Sequence, residues 1–265
     1  MYERGLPRSF IPKKRLGQNF LVDKKSLENI LRFAEISLSD TILEVGAGLG
    51  TLTQLLQSKA RKVIAVEKDP QLADFLQKRY HRNPRVEVVK ADILKMELPS
   101  CDKVVATPPY NISSKLLFLL LNKQIRMMVL VFQKEFAERL VAEPGTRDYS
   151  RLTVMTAHRA HAEILGYIPK ESFRPRPKVD SAIVKITPKE PNRMINEEMF
   201  ADLVRGLFTQ RRRNLRTVLR HYIQRRIQTP PEDLLNSDIP SKRVYQMSVD
   251  EFERLTYLLM SQDKG

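Results

Sequence analysis

Thr41-Ile42-Leu43-Glu44-Val45-Gly46-Ala47-Gly48-Leu49-Gly50 decides the fold. The first five residues form a short apolar run of strand length that ends in glycines. Helical spacing follows over residues 49–58. Strand, glycine turn and helix open a βαβ unit. Glycines in that turn permit φ > 0 and let the backbone pass close to a ligand.

The alternation continues outward. Strands are predicted at residues 62–67, 85–89, 103–106 and 127–132, and helices at 70–80, 113–121, 134–142 and 151–159. The helix at 70–80 carries Pro70 in its first turn, where proline costs no hydrogen bond. Two further β-rich runs, 162–168 and 179–186, have no helix between them and are expected to pair antiparallel. Strands alternating with helices imply a mainly parallel sheet covered on both faces, here of seven strands. Composition shifts at Pro188-Lys189-Glu190-Pro191, and beyond it only helical patterns occur, at 197–209, 214–225 and 249–260. The expected organisation is an α/β domain over 1–190 and a small helical domain over 191–265.

The bulk numbers narrow the function. A chain of 265 residues, 42% hydrophobic and 29% charged, suits a globular protein with a sizeable core. Its 46 Lys and Arg against 31 Asp and Glu give a net charge of +15, which points to a polyanionic partner. No run of about 18 apolar residues exists to span a bilayer. The basic N-terminus lacks the apolar segment of a secretory signal, so a cytoplasmic location is expected. Cys101 is the single cysteine, which excludes an internal disulfide and a cysteine-rich metal site. His158 and His161 lie at i, i+3, and a solvated helix face is expected for them rather than a metal site.

Two sets of residues carry chemistry. Glu67 lies 21 positions after Gly46, at the end of the second strand, where an acid accepts hydrogen bonds from ribose hydroxyls. Asp92 follows the third strand and can accept an adenine amino group; its structural alternative is a helix cap. The spacing G-x-G-x-G with Thr51 departs from the dinucleotide form. The second set is Thr107-Pro108-Pro109-Tyr110, directly after the fourth strand. Ligands of open α/β sheets bind outside the carboxyl ends of strands. The prolines remove backbone donors and leave carbonyls free to accept, and Tyr110 offers a ring for stacking. The bland alternative is a proline-rich turn.

Taken together, the glycines, Glu67 and Asp92 resemble a class I S-adenosylmethionine site on a Rossmann-like fold, and the corner resembles the D/N/S-P-P-Y/F element of amino-methyltransferases. Four further stretches make the resemblance specific: Leu16-Gly17-Gln18-Asn19-Phe20-Leu21, the glycine turn itself, Phe173-Arg174-Pro175-Arg176-Pro177-Lys178-Val179-Asp180-Ser181, and Gln210-Arg211-Arg212-Arg213-Asn214-Leu215-Arg216. The chain resembles the rRNA adenine N6,N6-dimethyltransferases over nearly its whole length, and its archaeal and eukaryotic branch best.

The resemblance implies S-adenosylmethionine as cofactor, no metal, and two adjacent adenosines near the 3′ end of small-subunit rRNA as substrate. It implies cofactor contacts from Gln18, Asn19, Leu21, Gly46, Gly48, Glu67, Lys68, Asp92, Ile93 and Thr107. Tyr110 and Phe173 would sandwich the target adenine, while Thr107 and the Pro108 carbonyl accept its N6 hydrogens. RNA contacts would come from Lys13, Lys14, Arg15, Arg211, Arg212, Arg213 and Arg216. The expected partner is a pre-ribosomal particle, met as a monomer and away from membranes. Thr107 departs from the family's usual Asn, offering one hydroxyl on a shorter stem. That departure keeps open a non-catalytic ribosome-assembly protein on the same fold. A DNA adenine methyltransferase is disfavoured because no separate base-reading domain is evident.

Overall fold

The computed structural model describes residues 11–190, 192, 194–226 and 241–262. It forms two compact units, Met1–Ala137 with His161–Pro188 and Glu138–Ala160 with Lys189–Gly265.

The first unit begins with β1 (Phe20–Leu21) and α1 (Lys24–Phe33). It continues through β2 (Thr41–Val45), α2 (Thr51–Leu56), β3 (Lys62–Glu67), α3 (Pro70–Tyr80), β4 (Val86–Lys90), β5 (Lys103–Ala106), α4 (Ser113–Leu121) and β6 (Met127–Gln133). Helix α5 (Lys134–Leu140) leads out of it. Strands β7 (Ala160–Ile168), β8 (Phe173–Arg174) and β9 (Ser181–Pro188) complete it. Seven strands make one sheet in the order β4-β3-β2-β5-β6-β9-β7. Neighbours from β4 to β6 are parallel, and β9 runs antiparallel to β6.

This order positions the site. The chain leaves β2 toward β3 and β4, then returns to the other flank of β2 for β5 and β6. Adjacent β2 and β5 therefore mark the topological switch point, outside whose carboxyl ends an open α/β sheet binds ligands. The glycine turn after β2 and the Thr107–Tyr110 corner after β5 both stand there. Strands β2 and β5 are buried along their whole length, as expected for parallel strands covered on both faces. At the opposite end, buried Lys103 donates to the Ala34 carbonyl at 3.0 Å and pairs with Asp40 at 3.1 Å. It thereby satisfies a carbonyl left open at the end of α1.

Local chemistry sets several boundaries. Gly50 has φ of +73°, which ends the turn and lets α2 begin only at Thr51, two residues later than the spacing suggests. Asp69 caps α3 by accepting the Gln71 N–H, and Pro70 occupies the first turn. Helix α1 is absent from the sequence-based reading. Its signal was present: Asp23 accepts the Ser26 N–H as N-cap, and Leu27, Ile30 and Leu31 face the core at helical spacing. The two-residue strands β1 and β8, paired antiparallel through Phe20↔Arg174 and Leu21↔Phe173, carry no such signal.

The second unit contains α6 (Arg151–Arg159), α7 (Glu197–Phe208), α8 (Leu215–Arg226) and α9 (Val249–Gln262). They pack around Phe200, Leu203, Leu207, Leu219 and Phe252. The chain enters this unit for the last time at Lys189. However, Glu138–Ala160 also belongs to it, in place of the α/β unit. Tyr149 shows why: it is fully buried in this helical core and its hydroxyl donates to the Met247 carbonyl at 2.6 Å. His158 likewise corrects the expectation of a solvated histidine. It is buried, stacked on Phe200 at 4.0 Å, with Nδ1 2.7 Å from Glu253 and Nε2 3.1 Å from Glu197. His161 is exposed as expected, though on β7 rather than a helix.

Candidate active site

One cleft of about 1030 Å³, part of it open to solvent, lies at the switch point. The glycine turn forms its floor. Gly46 donates to the Val66 carbonyl at 2.8 Å. A Cβ on Gly46 would lie 3.1 Å from Pro109 Cδ, and one on Gly48 would lie 2.9 Å from the Phe20 ring. The floor is thus pressed between the proline corner and the N-terminal arm, and only glycine fits with positive φ at both positions.

Three acids face the cleft. Glu67 accepts the Gly48 N–H at 2.9 Å through Oε2 and the Asp69 N–H at 2.7 Å through Oε1. Burial, only partly offset by these bonds, holds its carboxyl above the usual range. Each oxygen retains a second lone-pair direction for a ligand hydroxyl. Asp92 pairs with Lys68 at 2.9 Å and accepts the Leu94 N–H at 3.2 Å. The hydrogen bond from Lys68 holds its carboxyl low despite desolvation. The sequence reading did not assign Glu44 a role. It is buried within β2, accepts the Thr53 hydroxyl at 2.5 Å, and is pushed by desolvation to about 8. Its signal was its place: an acid inside an otherwise apolar buried strand.

The N-terminal arm closes one side. Arg15, Gln18, Asn19 and Leu21 line the cleft, and Asn19 Nδ2 donates to the Gly17 carbonyl at 3.1 Å. Gln18 also bonds within the protein: Nε2 donates to Asp69 at 2.7 Å, and Oε1 accepts the Lys13 N–H at 2.6 Å. Lys13 Nζ bonds the other Asp69 oxygen at 2.7 Å. Lys13 is therefore engaged inside the protein, whereas the sequence reading gave it to RNA. Lys14 and Arg15 are exposed. Lys68 and Ile93 both line the cleft, together with Gly46, Gly48 and Thr107.

The target side is built from distant segments. Tyr110 is half-buried, and its hydroxyl lies 2.6 Å from Ser181 Oγ. Burial holds that phenol above its ordinary range. Pro108 is buried beneath the corner and does not line the cleft. Phe173 is only 1% exposed. Its ring meets Tyr110 edge-on at 6.5 Å and 69°, so the two rings do not form the parallel sandwich expected from sequence. β1 pins Phe173 from behind through the Leu21 register.

In the helical unit, Arg211 donates to the Arg147 carbonyl at 2.7 Å and lies over the Tyr245 ring. It is half-buried and engaged in packing, unlike exposed Arg212, Arg213 and Arg216. The triplet lies in the turn before α8, not within the helix, because Asn214 accepts the Arg216 N–H as the cap.

Comparison with known proteins agrees with this geometry. The family described as ribosomal RNA adenine dimethylase matches residues 10–262. A probable ribosomal RNA small subunit methyltransferase A of Methanosarcina acetivorans is 42% identical over 246 residues, 91% of each chain. A dimethyladenosine transferase from Plasmodium falciparum superposes with TM-score 0.81 at 32% identity, over 93% of this chain and 98% of that one. The 23S rRNA methyltransferase ErmE gives TM-score 0.68 at 32% identity, over 89% and 98% respectively. A match that runs through the arm, the α/β unit and the helical unit alike leaves one assignment: the chain belongs to the ribosomal RNA adenine dimethylase family.

Proposed function

We propose that this chain dimethylates N6 of two adjacent adenosines near the 3′ end of small-subunit rRNA, using S-adenosylmethionine. The observation that carries the reading is the abutment of floor and corner. Pro109 packs against the Gly46 turn, and Thr107 and Pro109 line the cleft together with the glycines, so a ligand over the glycines lies beside Thr107, one end of the corner that continues to Tyr110. The cleft also suits the cofactor chemically. Glu67 and Asp92 offer acceptors for ribose and adenine, Ile93 and Leu49 offer apolar contact, and the acidic wall favours a cation. When bound, S-adenosylmethionine supplies an electrophilic methyl group on a positively charged sulfur.

The protein's own part is mostly orientation. Adenine N6 is a poor nucleophile because its lone pair is delocalised into the ring. Hydrogen bonds from its two protons to Thr107 and the Pro108 carbonyl favour a pyramidal nitrogen, an electrostatic aid confined to the reacting geometry. The half-buried ring of Tyr110 gives the base a stacking face, held in place by Ser181. Phe173 supports Tyr110 from its edge in the arrangement described above. The base must leave its stack to arrive there. Arg212, Arg213, Arg216, Lys14 and Arg15 bind rRNA phosphates, with steep salt dependence. No helix among the described residues is long and apolar enough to cross a membrane. The substrate is a pre-ribosomal particle in the cytoplasm, engaged by a monomer.

Thr107 in place of the family's usual Asn favours a second reading, a non-catalytic assembly protein. One experiment separates the two: calorimetry with S-adenosylmethionine, then transfer of labelled methyl groups to undermethylated small subunits. Dimethyladenosine in the recovered small-subunit rRNA supports the enzyme. Cofactor or RNA binding without any transfer supports the assembly protein.

A further inference from the structure

Asp69 makes more contacts than a helix cap requires. Capping α3 uses one bond, from the Gln71 N–H at 3.1 Å. Cap acids are ordinarily exposed, yet Asp69 is 0% exposed. Its two oxygens also take Lys13 Nζ and Gln18 Nε2, both at 2.7 Å. Its own N–H donates to Glu67. A buried carboxylate needs such partners, and here both side-chain partners come from the arm, 56 and 51 residues earlier.

We propose that Asp69 is a positioning residue for cofactor capture, gripping Lys13 and Gln18 so that the arm between Gln18 and Leu21 stands as one wall of the cleft. The inference rests on reading that cleft as the S-adenosylmethionine site. The arm is a short span between two anchors. Asp69 holds one end, and the pairing Leu21↔Phe173 holds the other. Between them, Asn19 and Phe20 line the cleft. The same residue that grips the arm orients Glu67 through its backbone. Arm position and the ribose acceptor are thereby set by one group. Desolvation pushes the Asp69 carboxyl up, but the hydrogen bonds from Lys13, Gln18 and the Gln71 N–H, with the Lys13 charge, together hold it below its ordinary range, so the grip is charged at neutral pH.

Lys13→Met tests this without touching α3, and Lys13→Arg is the conservative control. Three readouts apply: S-adenosylmethionine affinity by calorimetry, trypsin cleavage after exposed Lys14 and Arg15, and KM against kcat with undermethylated subunits. Lys13→Met is expected to weaken affinity roughly 5- to 20-fold, part of the worth of a charge-assisted hydrogen bond. The arm should be cut faster, KM should rise, and turnover at saturating cofactor should fall less than twofold. Lys13→Arg should restore most of the affinity. Asp69→Asn, which keeps a capping oxygen but loses the charge, should resemble Lys13→Met. A parent that binds alongside a Lys13→Met variant of equal affinity overturns the inference alone. So does a variant whose cofactor-free thermal stability falls as far as its affinity, since that marks a purely structural contact. A parent that binds no S-adenosylmethionine overturns the reading of the cleft, and the inference with it.

Discussion

The acidic wall of the cleft and the target wall in the corner behind it, whose Tyr110 and Phe173 do not line the cleft, are held in place by different means. On the acidic wall, the contacts of Glu67 and Asp92 join neighbouring strand ends, the farthest being Asp92 with Lys68. Glu67 bonds Gly48 and Asp69, which lie 19 and 2 residues away, and Asp92 bonds Leu94, two residues on. On the target wall, the Tyr110 hydroxyl is held by Ser181, 71 residues later. Its ring is backed by Phe173, itself pinned by the arm. The acidic wall is assembled by single strand ends and their turns. The target wall forms only when the arm, β5, β8 and β9 have come together. Substitutions on the first should act on cofactor binding alone. Those on the second should act on turnover.

Glu67→Ala tests the first half most severely. It removes the proposed ribose acceptor and also releases the N–H groups of Gly48 and Asp69. The expected loss of S-adenosylmethionine affinity is about 1.5–3 kcal/mol, the range for hydrogen bonds to a charged group. Calorimetry measures it, with thermal unfolding as the check that the fold survives. Unchanged affinity would remove Glu67 from the site.

Tyr110→Ala is the matching blow to the other wall. It should cost turnover about 1–3 kcal/mol, the worth of a stacking face, and leave cofactor affinity within about threefold. Tyr110→Phe keeps the ring and removes only the bond to Ser181, so it should cost about 0.5–1.5 kcal/mol. Cofactor affinity that fell as far as turnover in Tyr110→Ala would mean the walls are not independent.

Glu44 gives a pH-dependent test of the acidic wall without any ligand. Desolvation first, then the nearby Glu67 charge, raise its carboxyl to about 8, against a bond from Thr53 that lowers it. A group whose folded value is raised binds more protons folded than unfolded. Its contribution is therefore fully present below its unfolded value near 4.5 and is lost as pH rises toward 8. Denaturant unfolding of the cofactor-free protein should show stability falling between pH 5 and 8, by on the order of 1–3 kcal/mol. Glu44→Gln keeps an acceptor for Thr53 and should flatten much of that fall. The remainder belongs to Glu67, raised in the same direction by burial. A parent with level stability across that range would show Glu44 ionising at no cost.

The same division explains what was legible in the sequence. The seven strands, and the placing of the glycine turn, Glu67 and Asp92 at strand ends, could be read because each depends on one segment's own periodicity and spacing. The bonds of Lys13 and Gln18 to Asp69 were not legible, because Asp69 is more than 50 residues away and a sequence does not display such pairs. The burial of Phe173, expected to flank the target adenine with Tyr110, was not legible, since the two-residue strand paired with it has no periodicity to detect. His158 failed likewise: its helix looks amphipathic alone, yet packs against α7 and α9, so the histidine face is enclosed by Glu197 and Glu253. The earlier excursion of Glu138–Ala160 into the helical unit depends on contacts such as Tyr149 with Met247, which only the folded chain reveals.

Thr107 stands where the two walls meet, so it carries the smallest and most discriminating prediction. It lines the cleft beside the glycine floor, while its neighbours Pro108 and Tyr110 belong to the corner behind. On the proposed reading its hydroxyl matters most when the target nitrogen pyramidalises, an interaction stronger in the transition state than in the bound state. Thr107→Ala should therefore lower turnover by about 0.5–1.5 kcal/mol while cofactor affinity barely moves. Thr107→Asn should match or exceed the parent, because the longer amide offers a carbonyl acceptor at greater reach. A drop in cofactor affinity for Thr107→Ala would move Thr107 to the acidic wall. A parent without transfer activity that gains it as Thr107→Asn would show that only the target wall is incomplete. The protein would then act as an assembly factor that keeps a working cofactor site. The intact floor, acids and Tyr110 favour the active parent.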